Sequence, residues 1–199
     1  MAEKLSNKQP TQRERILKIA ARLFAEKGYH AVSMRDLCDE AGLGRGAIYY
    51  HIKSKEDLLY DISRNYMQEL IDEGLQIMDE TSSAVQRIEQ LGHSLIKKIS
   101  ECQTQLTVCF REVRSLTEHR LVEVMGLHKK YEDIWGQTLR EGAKNGIFCA
   151  YDSILLKSIL GMYFYSYVWI KPEGRLSAES IANRFNEVAL RMLCYQGGN

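Results

Sequence analysis

The stretch from Gly42 to Leu59 reads GLGRGAIYYHIKSKEDLL and places two tyrosines and a histidine between basic side chains. Arg45 can offer two donors to the acceptor edge of a guanine. The hydroxyls of Tyr49 and Tyr50 and the ring of His51 can donate to phosphate oxygens or stack on sugars and base methyls. This combination suits a charged, planar partner and predicts a contact with nucleic acid.

Two further positions extend this surface. Lys55 lies in the first turn of the next predicted helix, where its charge adds to free backbone N–H groups and predicts a phosphate clamp. Ser33, at the start of an earlier helix, offers a similar anion site. Gly46 has no side chain and Ala47 has only a methyl group, so the backbone of this predicted helix can approach a DNA groove closely. A competing interpretation is that the two tyrosines only cover the joint between two parts of the protein.

Local signals predict three short helices between residues 11 and 56, which we call the head. Capping boxes open the first two helices and glycines end both. These signals are Thr11 with Glu14 and Gly28 for the first helix, and Ser33 with Asp36 and Gly42 for the second. The third helix runs from about 44 to 51 and buries Ile48. Two short helices joined by a glycine turn, the second exposing polar and aromatic groups, indicate a helix-turn-helix.

Composition places the chain among ordinary globular proteins. It has 199 residues, of which 45% are hydrophobic, and a formal net charge of +1. The first 60 residues nevertheless carry 11 basic against 8 acidic side chains, so the basic excess lies at the amino end. The start, MAEKLSNKQP, lacks an apolar signal core. The longest uncharged run, Ser158 to Ile170, is too short for a membrane helix, and we expect a cytoplasmic protein.

The sequence gives little support for an enzyme. It contains no G-x-S-x-G elbow, H-E-x-x-H pair or phosphate loop, and we expect neither a cofactor nor a metal. The five cysteines are scattered and include no CxxC pair, which favours reduced thiols. One alternative remains open: Cys102 and Cys109 lie seven positions apart and share a face if their helix is continuous, as a redox or metal sensor requires.

The head resembles that of the TetR family of bacterial transcriptional regulators. The matching segments are ILKIAARLF at Ile16–Phe24, Gly28-Tyr29, Ser33, Ala41-Gly42-Leu43 and YYHIKSK at Tyr49–Lys55. Ile52 stands where the family usually has phenylalanine, and Gly44 and Gly46 flank Arg45 in a short recognition helix. The two glycines predict a less rigid helix in the absence of DNA, since each interior glycine costs about 1 kcal/mol relative to alanine.

The resemblance implies a set of DNA contacts. Its pattern assigns base contacts to Arg45, Gly46, Ala47, Tyr50 and His51, and phosphate contacts to Ser33, Met34, Arg35, Tyr49 and Lys55. It also implies an all-α fold of about nine helices, in which a three-helix head precedes a ligand-binding and dimerisation body. We therefore expect a flexible arm at 1–10, a helix-turn-helix domain at 11–56 and the body at 57–199.

Helical periodicity continues through the body. We predict helices at about 84–100, 105–116, 118–144, 153–170 and 178–193, with turns at Asn145-Gly146 and Pro172-Glu173-Gly174. The family resemblance implies that the last two helices pair with those of a second subunit. Their apolar stripes agree with this; they are Ile159, Met162, Tyr163, Tyr167, Ile181, Phe185, Val188 and Met192. A dimer predicts a near-palindromic operator.

Several body segments resemble the acyl-CoA-responsive branch of the family, which represses fatty-acid and steroid degradation. They are FREVRSL, the KKYEDIW run, KNGIFCAYD and WIKPEGRLSAESIANRF. An acyl thioester requires an apolar tunnel with aromatic walls and cationic side chains for its phosphates. The candidate ligand residues are Phe110, Arg111, Arg114, Tyr131, Trp135, Tyr163 and Tyr167, with Lys129 and Lys130 as further phosphate partners. For each residue, the alternative is core packing or a solvated surface.

The functional expectation is a homodimeric repressor that leaves its operator when a small apolar effector, such as a fatty, aromatic or steroid-derived acyl-CoA, enters the body. The alternatives are the redox or metal sensor at Cys102 and Cys109, and a DNA-binding protein that acts through a protein partner without an effector.

Overall fold

A computed structural model of the chain describes residues 10–171 and 173–195, so the predicted arm at 1–9 and Pro172 of the predicted turn lie outside the described residues. The described part is all-α, as predicted, and contains nine α-helices. They are α1 Gln12–Lys27, α2 Met34–Ala41, α3 Arg45–His51, α4 Lys55–Glu80, α5 Ala84–Glu101, α6 Gln103–Arg111, α7 Glu118–Lys144, α8 Ser153–Tyr165 and α9 Ala178–Met192. Short 3-10 turns follow α6 at Val113–Ser115 and α8 at Ser166–Val168.

The head forms as its local signals predict. Both capping boxes are present, at Thr11 with Glu14 and at Ser33 with Asp36. Gly42 ends α2 in the left-handed conformation, with φ of 63°, which glycine adopts without a side-chain clash. The buried apolar faces of the three helices meet in one core. Its central members are Ile16, Phe24, Leu37 and Ile48.

The long helix α4 joins the head to the body. Its amino end is capped by Ser54, whose hydroxyl accepts from the Asp57 N–H at 3.1 Å. The helix then packs against α1, α5, α6 and α7 in turn. The predicted domain boundary at 56 therefore falls within the first turn of α4, and a movement of this helix is shared by both parts.

Two predicted helices are shorter than expected. The helix expected at 105–116 ends at Arg111, and the helix expected at 153–170 ends at Tyr165. Near the end of α8, the side-chain amide of Gln103 donates to the carbonyls of Tyr167 (2.8 Å) and Ile170 (2.7 Å). A long-range side chain thus satisfies carbonyls that would otherwise continue the helix, and sequence periodicity does not reveal such a partner.

The predicted dimer stripes are partly wrong. Ile159, Tyr163 and Ile181 are buried within the single chain, because α8 and α9 pack on α5. The apolar side chains that α8 and the following segment expose are a different set. They are Ile154, Tyr165, Val168 and Trp169. None of the described helices is both long and apolar enough to cross a membrane.

Candidate DNA-binding surface and effector pocket

Helix α3 presents its polar and aromatic side chains to solvent because a single apolar residue anchors it. Ile48 is fully buried against the head core, whereas Arg45, Gly46 and Ala47 are exposed. Tyr50 is 86% exposed, and its ring meets the edge of the His51 ring at 5.0 Å. A Cβ added at Gly46 would meet no atom within 4 Å. The structure thus brings the predicted base-contact residues together on one open face.

The amino end of α2 belongs to the same helix-turn-helix unit, but the carboxylate of Asp36 already occupies its hydrogen-bond donors. The Ser33 N–H donates to Asp36 Oδ2 at 2.7 Å, and the Ser33 hydroxyl donates to the same oxygen at 2.6 Å. These bonds, the hydroxyl bond first, lower the pKa of the Asp36 carboxyl. Met34 is half-buried, and the exposed Arg35 lies 3.8 Å from Asp39. Arg35 is therefore the cation of this group that stays open to a phosphate.

Lys55 is engaged within the head. Its Nζ donates to the carbonyl oxygens of Tyr29 and Val32, each at 2.8 Å, and lies 4.3 Å from the centre of the Tyr29 ring. Burial lowers the pKa of the ammonium, and Glu112 opposes this shift. Two of its three donors thus fix the turn between α1 and α2 to the start of α4. Lys55 therefore has a positioning role within the head, and one donor remains for the predicted phosphate contact.

Polar contacts that the sequence did not indicate join the start of α4 to the start of α7. The N–H of Thr117 donates to Glu56 Oε1 at 2.9 Å, and Arg120 Nη2 donates to Asp57 Oδ1 at 2.5 Å. The Arg120 guanidinium also lies 5.1 Å from the centre of the Tyr60 ring. The partners are about 60 positions apart in the chain, so no local motif reveals them.

A second contact joins the head to the segment between α6 and α7. His30 Nε2 lies 3.0 Å from the hydroxyl of Ser115, in the 3-10 turn that follows α6. This turn and the start of α7 therefore both touch the head. A shift of α6 or α7 in the body would be transmitted to the helix-turn-helix unit through these contacts.

The predicted ligand aromatics come together in the body. The ring of Phe110 stacks on Tyr167 with centroids 5.4 Å apart, and Phe164 links this pair to Tyr131. Trp135 and Tyr163 form a second pair at 5.3 Å. In this structure Tyr131, Trp135 and Tyr163 are buried by their neighbours, so the expected open tunnel is replaced by packed rings. Phe110 and Tyr167 lie nearer the surface.

Buried polar atoms lie next to these rings. Within the described residues, Tyr66 Oη on α4 makes no hydrogen bond, whereas Ser63 Oγ interacts with the Cys109 thiol and Trp135 Nε1 with the Tyr131 hydroxyl. Tyr66 is only 3% exposed, and burial raises the pKa of its hydroxyl well above the usual value. Unpaired polar atoms in a core are costly and call for an explanation. A bound polar group is one such explanation.

The predicted cationic residues do not converge on the aromatic rings. Arg111 and Arg114 are exposed, and Arg111 lines a surface groove with Tyr167, Gln103 and Thr107. Lys129 is engaged by Glu132 at 2.9 Å and by Asp133 at 3.0 Å. Of the predicted phosphate partners, Arg111 is thus the one that shares a groove with a ligand aromatic.

The alternative sensor at Cys102 and Cys109 has an unsuitable environment. Cys109 is 1% exposed, and burial raises the pKa of its thiol to about 12. Burial also raises the pKa of the half-buried Cys102 thiol. Burial thus disfavours the thiolate of both residues, the form that redox chemistry and metal binding require. Among the described residues, no group of three His, Cys, Asp or Glu side chains is arranged to hold a metal.

Comparison with known protein families agrees with this architecture. The model for bacterial regulatory proteins of the tetR family matches residues 16–62, and the model for the tetracyclin repressor-like C-terminal domain matches residues 81–193. The chain belongs to the TetR family. It is therefore a DNA-binding transcriptional regulator and not an enzyme, and α2 and α3 form its helix-turn-helix.

Within the TetR family, some relatives match this chain over nearly its whole length. The transcriptional repressor KstR2 of Mycolicibacterium smegmatis is 28% identical over 193 residues, which cover 96% of this chain and 94% of the relative. The structure of the ketosteroid transcriptional regulator KstR2 of Mycobacterium tuberculosis matches with a TM-score of 0.85, at 26% identity, over 91% of this chain and 94% of that one.

A third relative was solved with its ligands. The structure of AibR in complex with isovaleryl coenzyme A and operator DNA matches with a TM-score of 0.81, at 25% identity. It covers 90% of this TetR-family chain and 98% of AibR. The likeness of these relatives thus extends through the body and is not confined to the helix-turn-helix.

Proposed function

We propose that this protein is a homodimeric repressor that binds a near-palindromic operator and releases it when an acyl-CoA enters the body. The observation that carries the proposal is the course of α4. One helix bears Lys55, which fixes the turn before α2, and also Tyr66, whose hydroxyl is buried without a hydrogen-bond partner. A ligand that engages this hydroxyl therefore acts on the helix that positions the head.

Operator contact is assigned to the open face of α3 and to the exposed side chains of α2. We assign base contacts to Arg45, Gly46, Ala47, Tyr50 and His51, and phosphate contacts to Ser33, Met34, Arg35, Tyr49 and the remaining donor of Lys55. A single seven-residue helix reaches few base pairs. Two copies related by a two-fold axis double the contact, which supports a dimer and a near-palindrome.

The dimer is assigned to α8 and α9. The outward side of α8 carries Ile154, Gly161 and Tyr165, and this mixture of apolar and small side chains suits a close helix pairing. Exposure of such an apolar stripe to solvent would be unfavourable on a monomer. This supports the assignment of the stripe to a contact with a second subunit.

The acyl portion is assigned to the region of Tyr66, Tyr131 and Trp135, and the CoA phosphates to Arg111. Rings and aliphatic side chains suit an apolar acyl group, while the unpaired hydroxyl of Tyr66 suits its thioester oxygen. Entry requires the packed rings to separate. A surface groove between α1, α4 and α6 already borders Tyr66.

Release then follows from the contacts between head and body. Separation of the rings moves α6 and α7 relative to α4, which alters the bonds from Thr117 and Arg120 to the start of α4. A coupling of about 1 to 3 kcal/mol between effector and operator would weaken DNA binding roughly 5- to 150-fold. The names of the relatives support this class of effector, since AibR was solved with isovaleryl coenzyme A and operator DNA.

The test is operator binding in the presence of thioesters. Genomic fragments retained by the purified dimer are sequenced, and the recovered operator is titrated by fluorescence anisotropy with short branched, long linear and ring-bearing acyl-CoAs. Release by one class at micromolar concentration, without release by free CoA, supports the proposal. A dimer that keeps its operator against every thioester, while native mass spectrometry detects none bound, refutes the effector and leaves an effector-free DNA-binding protein.

A further inference from the structure

Cys149 and Cys194 are distant in sequence but adjacent in the fold. Cys149 lies in the segment between α7 and α8, and Cys194 lies just beyond α9. The N–H of Cys149 donates to the Leu193 carbonyl at 2.9 Å, and its Sγ lies 3.9 Å from the Met192 carbonyl oxygen. These contacts place Cys149 directly beside the residues that precede Cys194, so the backbone around both cysteines holds the two residues next to each other.

The segment that carries Cys149 is firmly seated. The N–H groups of Ile147 and Phe148 both donate to the Gly142 carbonyl at the end of α7. The Phe148 ring packs so closely on Gly142 that a Cβ added at Gly142 would lie 2.1 Å from a carbon of this ring. The same ring meets the edge of Tyr195 with centroids 6.5 Å apart. The two cysteines are therefore flanked on both sides by packed residues.

Cys194 occupies an unusual backbone position. Its φ is 59°, and it is the one non-glycine residue with positive φ among the described residues. The Cys194 N–H donates to the Arg191 carbonyl and the Tyr195 N–H donates to the Leu190 carbonyl, each at 3.0 Å. These bonds end α9 with a left-handed residue, a position that glycine usually occupies. A side chain is disfavoured there. The left-handed turn brings an exposed thiol beside Cys149.

We propose that Cys149 and Cys194 form a reversible intrachain disulfide when the protein meets a peroxide. The Cys194 thiolate attacks one oxygen of hydrogen peroxide and becomes a sulfenic acid, and the other oxygen leaves as water after protonation. The Cys149 thiolate then attacks the Cys194 sulfur and displaces a hydroxide, which is protonated to a second water. The two thiols lose two electrons, and the peroxide gains them.

The environments of the cysteines determine the order of these steps. Cys194 is exposed, whereas Cys149 is half-buried, and burial followed by its contact with Cys194 raises the pKa of the Cys149 thiol. Cys194 is thus the site that meets the oxidant, and Cys149 is the resolving partner. Cys38 and Cys109 are buried and therefore shielded from the oxidant.

The disulfide would connect the segment before α8 to the end of α9. These two helices are the proposed dimer helices, so oxidation would stiffen the same part of the body that pairs with the second subunit. Closing a loop of this length predicts a rise in Tm of about 5 °C or more. This input is separate from the effector and does not depend on the proposed function.

The experiment uses the full-length reduced protein, treated with stoichiometric hydrogen peroxide and digested without reduction for mass spectrometry. We expect one cross-linked peptide pair that joins Cys149 to Cys194, with the mass loss of two hydrogens and full reversal by dithiothreitol. Thermal unfolding of the oxidised protein should show the higher Tm. The matched control Cys102→Ser should behave as the wild type, and Cys149→Ser and Cys194→Ser should show neither effect.

Two outcomes overturn the proposal: a sulfinic acid at Cys194 with Cys149 still free, and a disulfide that joins two chains or involves another cysteine. An intrachain bond between Cys149 and Cys194 that leaves Tm unchanged would overturn the predicted stiffening of the body. Because the peptide map and the Tm comparison on wild-type protein use no substitution, they decide the question even if a serine variant folds poorly.

Discussion

The hydroxyl of Tyr163 donates a 2.6 Å hydrogen bond to Oδ1 of Asn186, and both atoms lie directly over Gly92. The Asn186 amide in turn donates to the Glu89 carbonyl at 2.9 Å and lies 3.0 Å from the ring nitrogen Nδ1 of His93. This buried network joins α8 and α9 to α5. It sets how the proposed dimer helices are presented.

Gly92→Ala should therefore destabilise the body. The added Cβ would lie 1.9 Å from Asn186 Oδ1 and 2.6 Å from the Tyr163 hydroxyl, so the network must break or α9 must shift. We expect a loss of about 2 to 4 kcal/mol in the free energy of unfolding. Urea unfolding measures it. Gly126→Ala is the matched control, since its Cβ meets nothing within 4 Å and should add roughly 0.5 to 1 kcal/mol.

Arg45→Ala should reduce specific operator binding. Loss of a bidentate contact to a base costs about 1 to 3 kcal/mol, which is roughly a 5- to 150-fold weaker affinity per half-site. Fluorescence anisotropy on specific and random DNA separates base contact from phosphate contact. Lys97→Ala removes an exposed charge from α5 and should leave both affinities unchanged. An equal loss on both DNAs for Arg45→Ala would show that the arginine contacts phosphate alone.

Gly46→Ala separates folding from DNA contact. An added Cβ has open space in the free protein, so the substitution should stabilise the head by up to about 1 kcal/mol. In the complex, the same methyl would stand between α3 and the groove and lower operator affinity. Thermal unfolding and anisotropy on one preparation test both effects. Unchanged operator affinity would remove Gly46 from the contact face.

Glu56→Gln probes the link between α4 and α7 through its pH dependence. The hydrogen bond from Thr117 lowers the pKa of the Glu56 carboxyl from its usual 4.5. A carboxyl with a lowered pKa in the folded state stabilises the protein above its ordinary pKa, and this contribution disappears as pH falls through the folded pKa. The wild type should therefore exceed the variant in stability above about pH 4.5, and the difference should vanish in acid.

Chemical unfolding across this pH range measures the difference. Glu118→Gln is a control, because Glu118 is an exposed carboxylate in the first turn of α7. A constant difference between wild type and Glu56→Gln at every pH would mean that the charge of Glu56 does not contribute. The same variant should also respond less to effector, because it weakens a contact between body and head.

Tyr66→Phe should have opposite effects on stability and on regulation. Removal of a buried, unpaired hydroxyl should raise the free energy of unfolding by about 1 kcal/mol. If this hydroxyl binds the effector, its loss should raise the thioester concentration needed for release of the operator by about tenfold. Operator affinity without effector should not change. A stabilised variant with unaltered release would assign Tyr66 to packing alone.

Local chemistry made the head predictable from sequence. The features that define the head depend on residues only a few positions apart in the chain. They are the capping boxes at Thr11 and Ser33, the helix ends at Gly28 and Gly42, and the single apolar anchor Ile48. The exposed face of α3 follows from that one anchor. Helical periodicity likewise located the body helices, because each must bury one stripe regardless of its partner.

The features that the sequence did not reveal depended on distant partners. The sequence neighbours of Lys55 do not show the carbonyls of Tyr29 and Val32, to which its ammonium donates. The aromatics of the body were expected to line a tunnel, yet the tertiary packing closes Trp135 against Tyr163. Residue type establishes that a ring can line a cavity, but only the separation of helices decides whether the cavity is open.

The sequence by itself therefore determined the helices, the DNA-binding unit and the family, because these depend on local capping, periodicity and a short motif. Tertiary structure alone decided which cysteines lie side by side, that the buried hydroxyl of Tyr66 remains unpaired, and how Glu56 and Asp57 connect the head to α7. The physical reason is that such contacts join residues many positions apart, and their free energy depends on burial and geometry that arise only after the helices have packed.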